Sequence, residues 1–183
     1  NYIATGKVPT VYMQNSGVGN AVNPLMSLAD KDVYGVPMVV IIGWRGEPGV
    51  KDEPQHFKQG LIQEELLKAM QLEYAIIDSK DKDCSDLLAK LYSSAINDKC
   101  PKVLLVKKGT FDTYTTAPSE ALDLDSREFA IDAIIDGLGK DSIFVGTTGK
   151  LSRELFELRV SRGESHENDF LTVGGMGHAS AIA

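Results

Sequence analysis

Residues Val8-Pro9-Thr10-Val11-Tyr12-Met13-Gln14 run directly into Asn15-Ser16-Gly17-Val18-Gly19-Asn20. The apolar, β-branched run reads as a buried strand. The two glycines allow a tight turn, and Asn20 stands just before an apolar helical pattern. In open α/β sheets ligands gather at the carboxyl ends of strands, so this turn is the first candidate for chemistry. It is not a dinucleotide fingerprint, because Val22 stands where the third glycine belongs. A strand–turn–helix corner without a ligand accounts for the turn equally well.

Outward from that stretch, strands and helices alternate. A helix around Ala21–Lys31 precedes a second buried strand, Val36–Gly43. A polar loop, Trp44–His56, leads to a helix near Leu61–Gln71. A third strand (Glu73–Asp78), a helix (Lys82–Asn97, with Leu87, Leu88, Leu91 and Tyr92 on one face) and a fourth strand (Lys102–Val106) complete the series. This order predicts an α/β fold, a parallel sheet with helices on both faces. Composition then shifts: Lys107–Asp125 is polar, Thr-rich and without helical period, and reads as an interdomain linker. Ser126 caps a new helix offering Phe129, Ile131, Ala133, Ile134 and Ile135. Ser142–Val145 is a new strand and Leu151–Leu158 a new helix. The pattern has restarted. The boundaries are residues 1–108, a linker over 109–124, and 125–183.

The 183 residues carry a net charge of −7, with 43% hydrophobic and 25% charged residues. That is ordinary for a globular protein and argues against a nucleic-acid partner, which needs clustered Lys and Arg. No apolar run approaches the length of a membrane span, and no signal-peptide pattern opens the chain. Cys84 and Cys100 lack Cys-x-x-Cys spacing and read as cytoplasmic thiols, with a disulfide left open. His56, His166 and His178 lack zinc-site spacing. The chain starts at Asn1 on what reads as the last turn of a helix closed by Gly6, and stops at Ala183 as a helix begins. It is therefore expected to be an internal stretch of a longer protein.

Three further segments carry candidate chemistry. In the loop Gly43-Trp44-Arg45-Gly46-Glu47-Pro48-Gly49 through Gln55-His56, Arg45 can hold an oxyanion through two parallel hydrogen bonds. Lys51, His56 and Lys58 add positive charge, while Glu47, Asp52 and Glu53 leave a solvated, charge-balanced loop as the alternative. Gly146-Thr147-Thr148-Gly149-Lys150-Leu151-Ser152 is not a phosphate loop, since its glycines are too close and Leu151 follows Lys150. It does set hydroxyls and backbone N–H groups at a helix N-terminus, as an ordinary strand-to-helix turn also would. Gly174-Gly175-Met176-Gly177 permits close approach of a planar group, or simply close helix–strand packing.

These segments, with Ala4-Thr5-Gly6-Lys7-Val8-Pro9, Thr148 to Phe156 and Gly174 to Ser180, resemble in this order the thiamine diphosphate-dependent 2-oxo acid decarboxylases. The resemblance covers nearly the whole chain. It is closest to members acting on a phosphonate-bearing 2-oxo acid, with a sulfonate-bearing one as the alternative. It implies a pyrimidine-binding domain over 1–108 and a diphosphate-binding domain over 125–183. It also implies thiamine diphosphate and magnesium as cofactors, a small anionic 2-oxo acid as substrate, and a homo-oligomer, dimer or larger. Thr148, Gly149 and Lys150 would lie near the diphosphate. The carbonyl of Gly174 would accept from the pyrimidine's amino group, Gly175 and Gly177 would allow its approach, and Met176 would buttress the bent cofactor. Asn15, Ser16 and Asn20 would edge the substrate cavity. Arg45 and His56 are our own candidates for the headgroup, because a dianion calls for paired cationic donors. The family's catalytic glutamate is expected upstream of Asn1 and its magnesium motif beyond Ala183. No catalytic or metal residue is therefore assigned within 1–183, and this stretch alone is expected to be inactive. A non-catalytic binding or assembly module on the same scaffold is the competing expectation.

Overall fold

The computed structural model describes residues 5–81, 83–115, 125–139, 141–175 and 179–183. The chain divides into two compact units, Asn1–Tyr114 and Thr115–Ala183.

In the first unit β1 (Thr10–Gln14), β2 (Met38–Gly43), β3 (Tyr74–Ile77) and β4 (Pro101–Val106) form one sheet in the order β1-β2-β4-β3, every pairing parallel. The order follows from composition. Met38-Val39-Val40-Ile41-Ile42 and Val103-Leu104-Leu105 are apolar at consecutive positions, as strands covered on both faces must be, and they take the two central places. Alternate side chains then serve opposite layers. Val40, Ile42, Val103 and Leu105 pack with Val18, Leu25, Leu67 and Met70, from α1 (Val18–Ser27) and the region of α3 (Gln63–Ala69). Val39, Leu104 and Ile77 pack with Leu91 of α4 (Ser85–Asp98). Helices thus cover both faces, as the alternation predicts.

The expectation of a buried first strand is corrected. β1 lies at an edge of this sheet, where only Val11 and Met13 reach the core; Thr10, Tyr12 and Gln14 are exposed, Tyr12 at 77%. The glycine turn is corrected too. A single 3-10 turn, Asn15–Gly17, passes straight into α1 at Val18, with Gly17 at an ordinary right-handed φ of −83°. Asn20 is therefore inside α1 and exposed rather than ahead of the helix. The polar loop ends early as well, because α2 (Pro54–Leu61) begins at a proline in its first turn. There the fixed φ suits a helix and the missing N–H costs nothing.

The carboxyl end of β2 is clamped to α2. Trp44 is buried, its backbone N–H donating to Val106 O at 2.8 Å and its indole Nε1 to Gly60 O at 3.0 Å. Gly46 has φ +67°, and a Cβ built on it would lie 2.1 Å from His56 O. One built on Gly60 would lie 1.9 Å from Gly46 O. Two backbones touch here with no room for a methyl group.

In the second unit α5 (Arg127–Leu138) is capped as its sequence predicts, the Ser126 hydroxyl accepting from Phe129 N at 3.1 Å. Ile131 and Ile135 are buried with Leu155 of α6 (Lys150–Ser161), while Phe129 and Ile134 are exposed. β5 (Phe144–Gly146) and β6 (Asp169–Leu171) pair in parallel, and α7 (Ala179–Ile182) follows.

Gly60→Ala inside a helix would ordinarily gain about 1 kcal/mol. Here the methyl group collides with backbone, so a net loss of about 1–3 kcal/mol is expected in chemical denaturation. An unchanged or raised midpoint would show that α2 is not clamped to Gly46.

Candidate functional site

Register decides what meets at the carboxyl end of the first sheet. Gln14 pairs with Gly43, so the chain leaving β1 and the chain leaving β2 emerge side by side. Asn15, 2% exposed, continues the ladder with its side chain: Nδ2 donates to Arg45 O at 2.8 Å, and Oδ1 accepts from Arg45 N at 3.0 Å. An asparagine suits this place because its carboxamide carries one donor and one acceptor, as a peptide unit does. Ser16 is half-buried and donates to Gln14 Oε1 at 3.2 Å. The structure thus joins Asn15 to Arg45, with Ser16 beside Asn15, while Asn20 stands exposed on α1.

Arg45 meets Asp52 along one edge of its guanidinium. Nε donates to Oδ2 at 2.8 Å and Nη2 to Oδ1 at 2.6 Å. Asp52 also accepts from Gly46 N at 2.7 Å and Glu53 N at 2.8 Å. The guanidinium, first through its hydrogen bonds and helped by the two N–H groups, holds the Asp52 carboxyl far below the usual carboxylate range; Asp52 in turn raises Arg45. The loop is fixed at two more points, Lys107 to Glu47 at 3.2 Å and Lys108 Nζ to Lys51 O at 3.2 Å. It is a built loop, and its charge balance is structural.

His56 sits on α2, half-buried, its Nδ1 buried without a hydrogen-bond partner among the described residues. Burial, and then the positive charge of Arg45, push its pKa below 6.5. At neutral pH His56 offers a hydrogen bond rather than a charge, so of the expected cationic pair Arg45 is the cation.

In the second unit the pairing of Gly146 with Leu171, continued by Thr172 N donating to Gly146 O at 3.3 Å, brings two glycine segments to one sheet end. The Gly146–Lys150 turn is held by Ser152, whose buried hydroxyl donates to Thr147 O at 2.7 Å. Its Oγ would lie 2.6 Å from a Cβ on Gly146. Gly149, at φ +103°, opens α6 without a side-chain cap, which leaves the first helical N–H groups of Lys150 and its neighbours available to an anion. Thr148 is half-buried and Lys150 exposed. Thr172, overlooked in the sequence, is buried with its Oγ1 unpartnered among the described residues. Gly174 and Gly175, the latter at φ +68°, follow it; Met176 and Gly177 lie outside the described residues. The N–H groups at the uncapped start of α6 suit the phosphate end of a cofactor. Of the three acids read as balancing this loop, Glu47, Asp52 and Glu53, Asp52 is the one that meets Arg45, and nothing local to a charged loop marks which carboxylate that will be.

Among the described residues no cluster of His, Cys, Asp and Glu could hold a metal ion, no helix is long and apolar enough to cross a membrane, and both cysteines are free.

The chain is similar to phosphonopyruvate decarboxylase of Streptomyces viridochromogenes, 33% identical over 185 residues covering 92% of this chain and 45% of the relative. The phosphonopyruvate decarboxylase of Streptomyces hygroscopicus is 31% identical over 92% of this chain and 44% of its own length. A sulfopyruvate decarboxylase subunit alpha of Methanococcus maripaludis is 31% identical over 55% of this chain and 58% of its own length. The chain thus spans less than half the length of the two curated relatives that it matches most extensively. No protein-family model matches the chain.

Asn15→Ala strips both backbone groups of Arg45 of their partner, and a loss of about 1–3 kcal/mol is expected in denaturant unfolding. A loss within error would mean that the loop holds without the carboxamide. A histidine-resolved NMR titration should place His56 below 6.5, raised towards it by Arg45→Ala and lowered further by Asp52→Asn, whose charge raises it. The depressed value makes the His56 contribution to stability complete above pH 6.5 and lost as pH falls through the folded-state pKa. A titration above 6.5 would contradict the burial.

Proposed function

We propose that this chain forms part of a thiamine diphosphate- and magnesium-dependent decarboxylase converting phosphonopyruvate to phosphonoacetaldehyde and carbon dioxide. The supporting observation is the extent of similarity: a match over 92% of the chain necessarily includes both compact units. The sulfopyruvate decarboxylase subunit matches only 55% of it. That second match keeps a sulfonate-bearing substrate as the alternative reading. The subunit designation of that relative agrees with the oligomer, dimer or larger, that the family resemblance implies. A cytoplasmic location accords with the free thiols.

In this reading the N–H groups at the start of α6 and the hydroxyls of Thr148 and Thr172 hold the diphosphate, with Lys150 adding charge. By the family resemblance the carbonyl of Gly174 would accept from the pyrimidine's amino group, Gly175 and Gly177 would allow its approach, and Met176 would buttress the cofactor. When bound, thiamine diphosphate would supply the electron sink for a decarboxylation. Asn15, Ser16 and Asn20 edge the substrate. Arg45 holds the phosphonate through two parallel N–H···O bonds, and neutral His56 contributes a hydrogen bond instead of a charge.

Carbon dioxide release by the full-length protein with magnesium, with and without thiamine diphosphate, tests this on phosphonopyruvate, sulfopyruvate and pyruvate. Cofactor-dependent turnover favouring phosphonopyruvate is expected. Preference for sulfopyruvate would select the alternative, and no turnover of any 2-oxo acid would select a non-catalytic module.

A further inference from the structure

We propose that Asp52 is a positioning residue that fixes which edge of the Arg45 guanidinium is offered to the substrate's phosphonate. The inference rests on Arg45 being the headgroup ligand. A guanidinium has two edges able to grip an oxyanion with parallel hydrogen bonds, one formed by Nε and a terminal nitrogen, the other by the two terminal nitrogens. Asp52 occupies the first, at 2.8 and 2.6 Å. Nη1 has no hydrogen-bond partner among the described residues, and the Arg45 side chain remains 38% exposed against 12% for Asp52. Asp52 covers the anchored edge, and the edge left to an oxyanion is the pair of terminal nitrogens.

Asp52 is itself held rigidly. The Gly46 and Glu53 N–H groups donate to its two oxygens, so the carboxylate cannot swing to follow a rotating arginine. Asn15 meanwhile fixes Arg45 through its main chain from the neighbouring strand. Both ends of the arginine are tied, and only its outer edge is left to bind. A long side chain ordered beforehand loses less entropy on binding. Asp52 has a second effect of opposite sign: its charge offsets that of Arg45 and weakens attraction for a dianion. Positioning and neutralisation therefore predict opposite outcomes when the charge is removed.

The experiment is a double-mutant cycle on the full-length holoenzyme turning over phosphonopyruvate, with melting temperatures measured alongside. Arg45→Ala and Asp52→Asn should each raise KM about tenfold or more with kcat little changed, the loss expected for a charge-assisted hydrogen bond made equally in ground and transition states. On the Arg45→Ala background Asp52→Asn should raise KM no further. Asp52→Glu, which keeps the charge, should recover part of the loss and serves if the asparagine variant fails to fold. An unchanged or lowered KM in Asp52→Asn, with KM raised in Arg45→Ala, would overturn the positioning role and leave Arg45 as the ligand. So would a further KM increase from Asp52→Asn on the Arg45→Ala background. An unchanged KM in Arg45→Ala would overturn both assignments while the decarboxylase reading stands. Absence of turnover by the wild-type holoenzyme would overturn all three.

Discussion

The carboxamide of Asn15 is the joint on which the first unit's candidate site depends. It replaces one rung of a parallel ladder with a side chain, accepting from Arg45 N–H and donating to Arg45 carbonyl. Without it, the chain leaving β2 would carry two unsatisfied polar groups beside a nearly dry core. With it, the Arg45 backbone is fixed relative to β1. The Trp44 indole and the Gly46–Gly60 contact then fix the same loop relative to α2. The loop's order is thus imposed from two sides by backbone-scale contacts, and its charged residues are arranged afterwards.

Charge is distributed along the strands with a clear division of labour. At the amino end of β4, Lys102 is buried between Glu73, at 2.6 Å, and Asp98. At the amino end of β6, the fully buried side chain of Asp169 meets Arg159 at 3.2 Å, with Glu164 at 2.6 Å and the Phe144 ring beneath the guanidinium. These ions are saturated by partners, as burial requires, and their removal singly would strand a charge. At the carboxyl ends the polar groups are only partly satisfied: one edge of Arg45, Nδ1 of His56, the uncapped start of α6 and Oγ1 of Thr172. These groups of unmet hydrogen-bonding capacity lie at the end where open α/β sheets bind ligands, while among the described residues Gln63 Nε2, at the start of α3, is also buried without a partner.

Much of the scaffold was legible in the chain. The apolar runs of β2 and β4 announce central strands, and the Ser126 cap and the restarting pattern announce a second unit, because each depends on neighbours in sequence. Errors arose where the deciding neighbour is remote. The pleat sends Val11 and Tyr12 to opposite faces, and only the tertiary structure shows that the face carrying Tyr12 is left exposed at this edge strand. Pro54 reads as loop until it is seen to open α2, and Gly17 reads as a turn although its conformation is one that any residue adopts. Gly46 and Gly60 lie fourteen positions apart, and their need for glycine is visible only where their backbones touch.

By itself the sequence determined the α/β alternation of a parallel sheet covered by helices. Strand and helix periods, caps and turn residues act over a few positions, and family resemblance is a property of the string. Only the tertiary structure decided that Asn15 grips Arg45, that Asp52 takes one edge of the guanidinium, that His56 is held towards neutrality, and that Thr172 stands beside Gly146. The reason is physical. Parallel pairing joins strands distant in the chain, and both hydrogen-bond saturation and desolvation are set by what that pairing brings together.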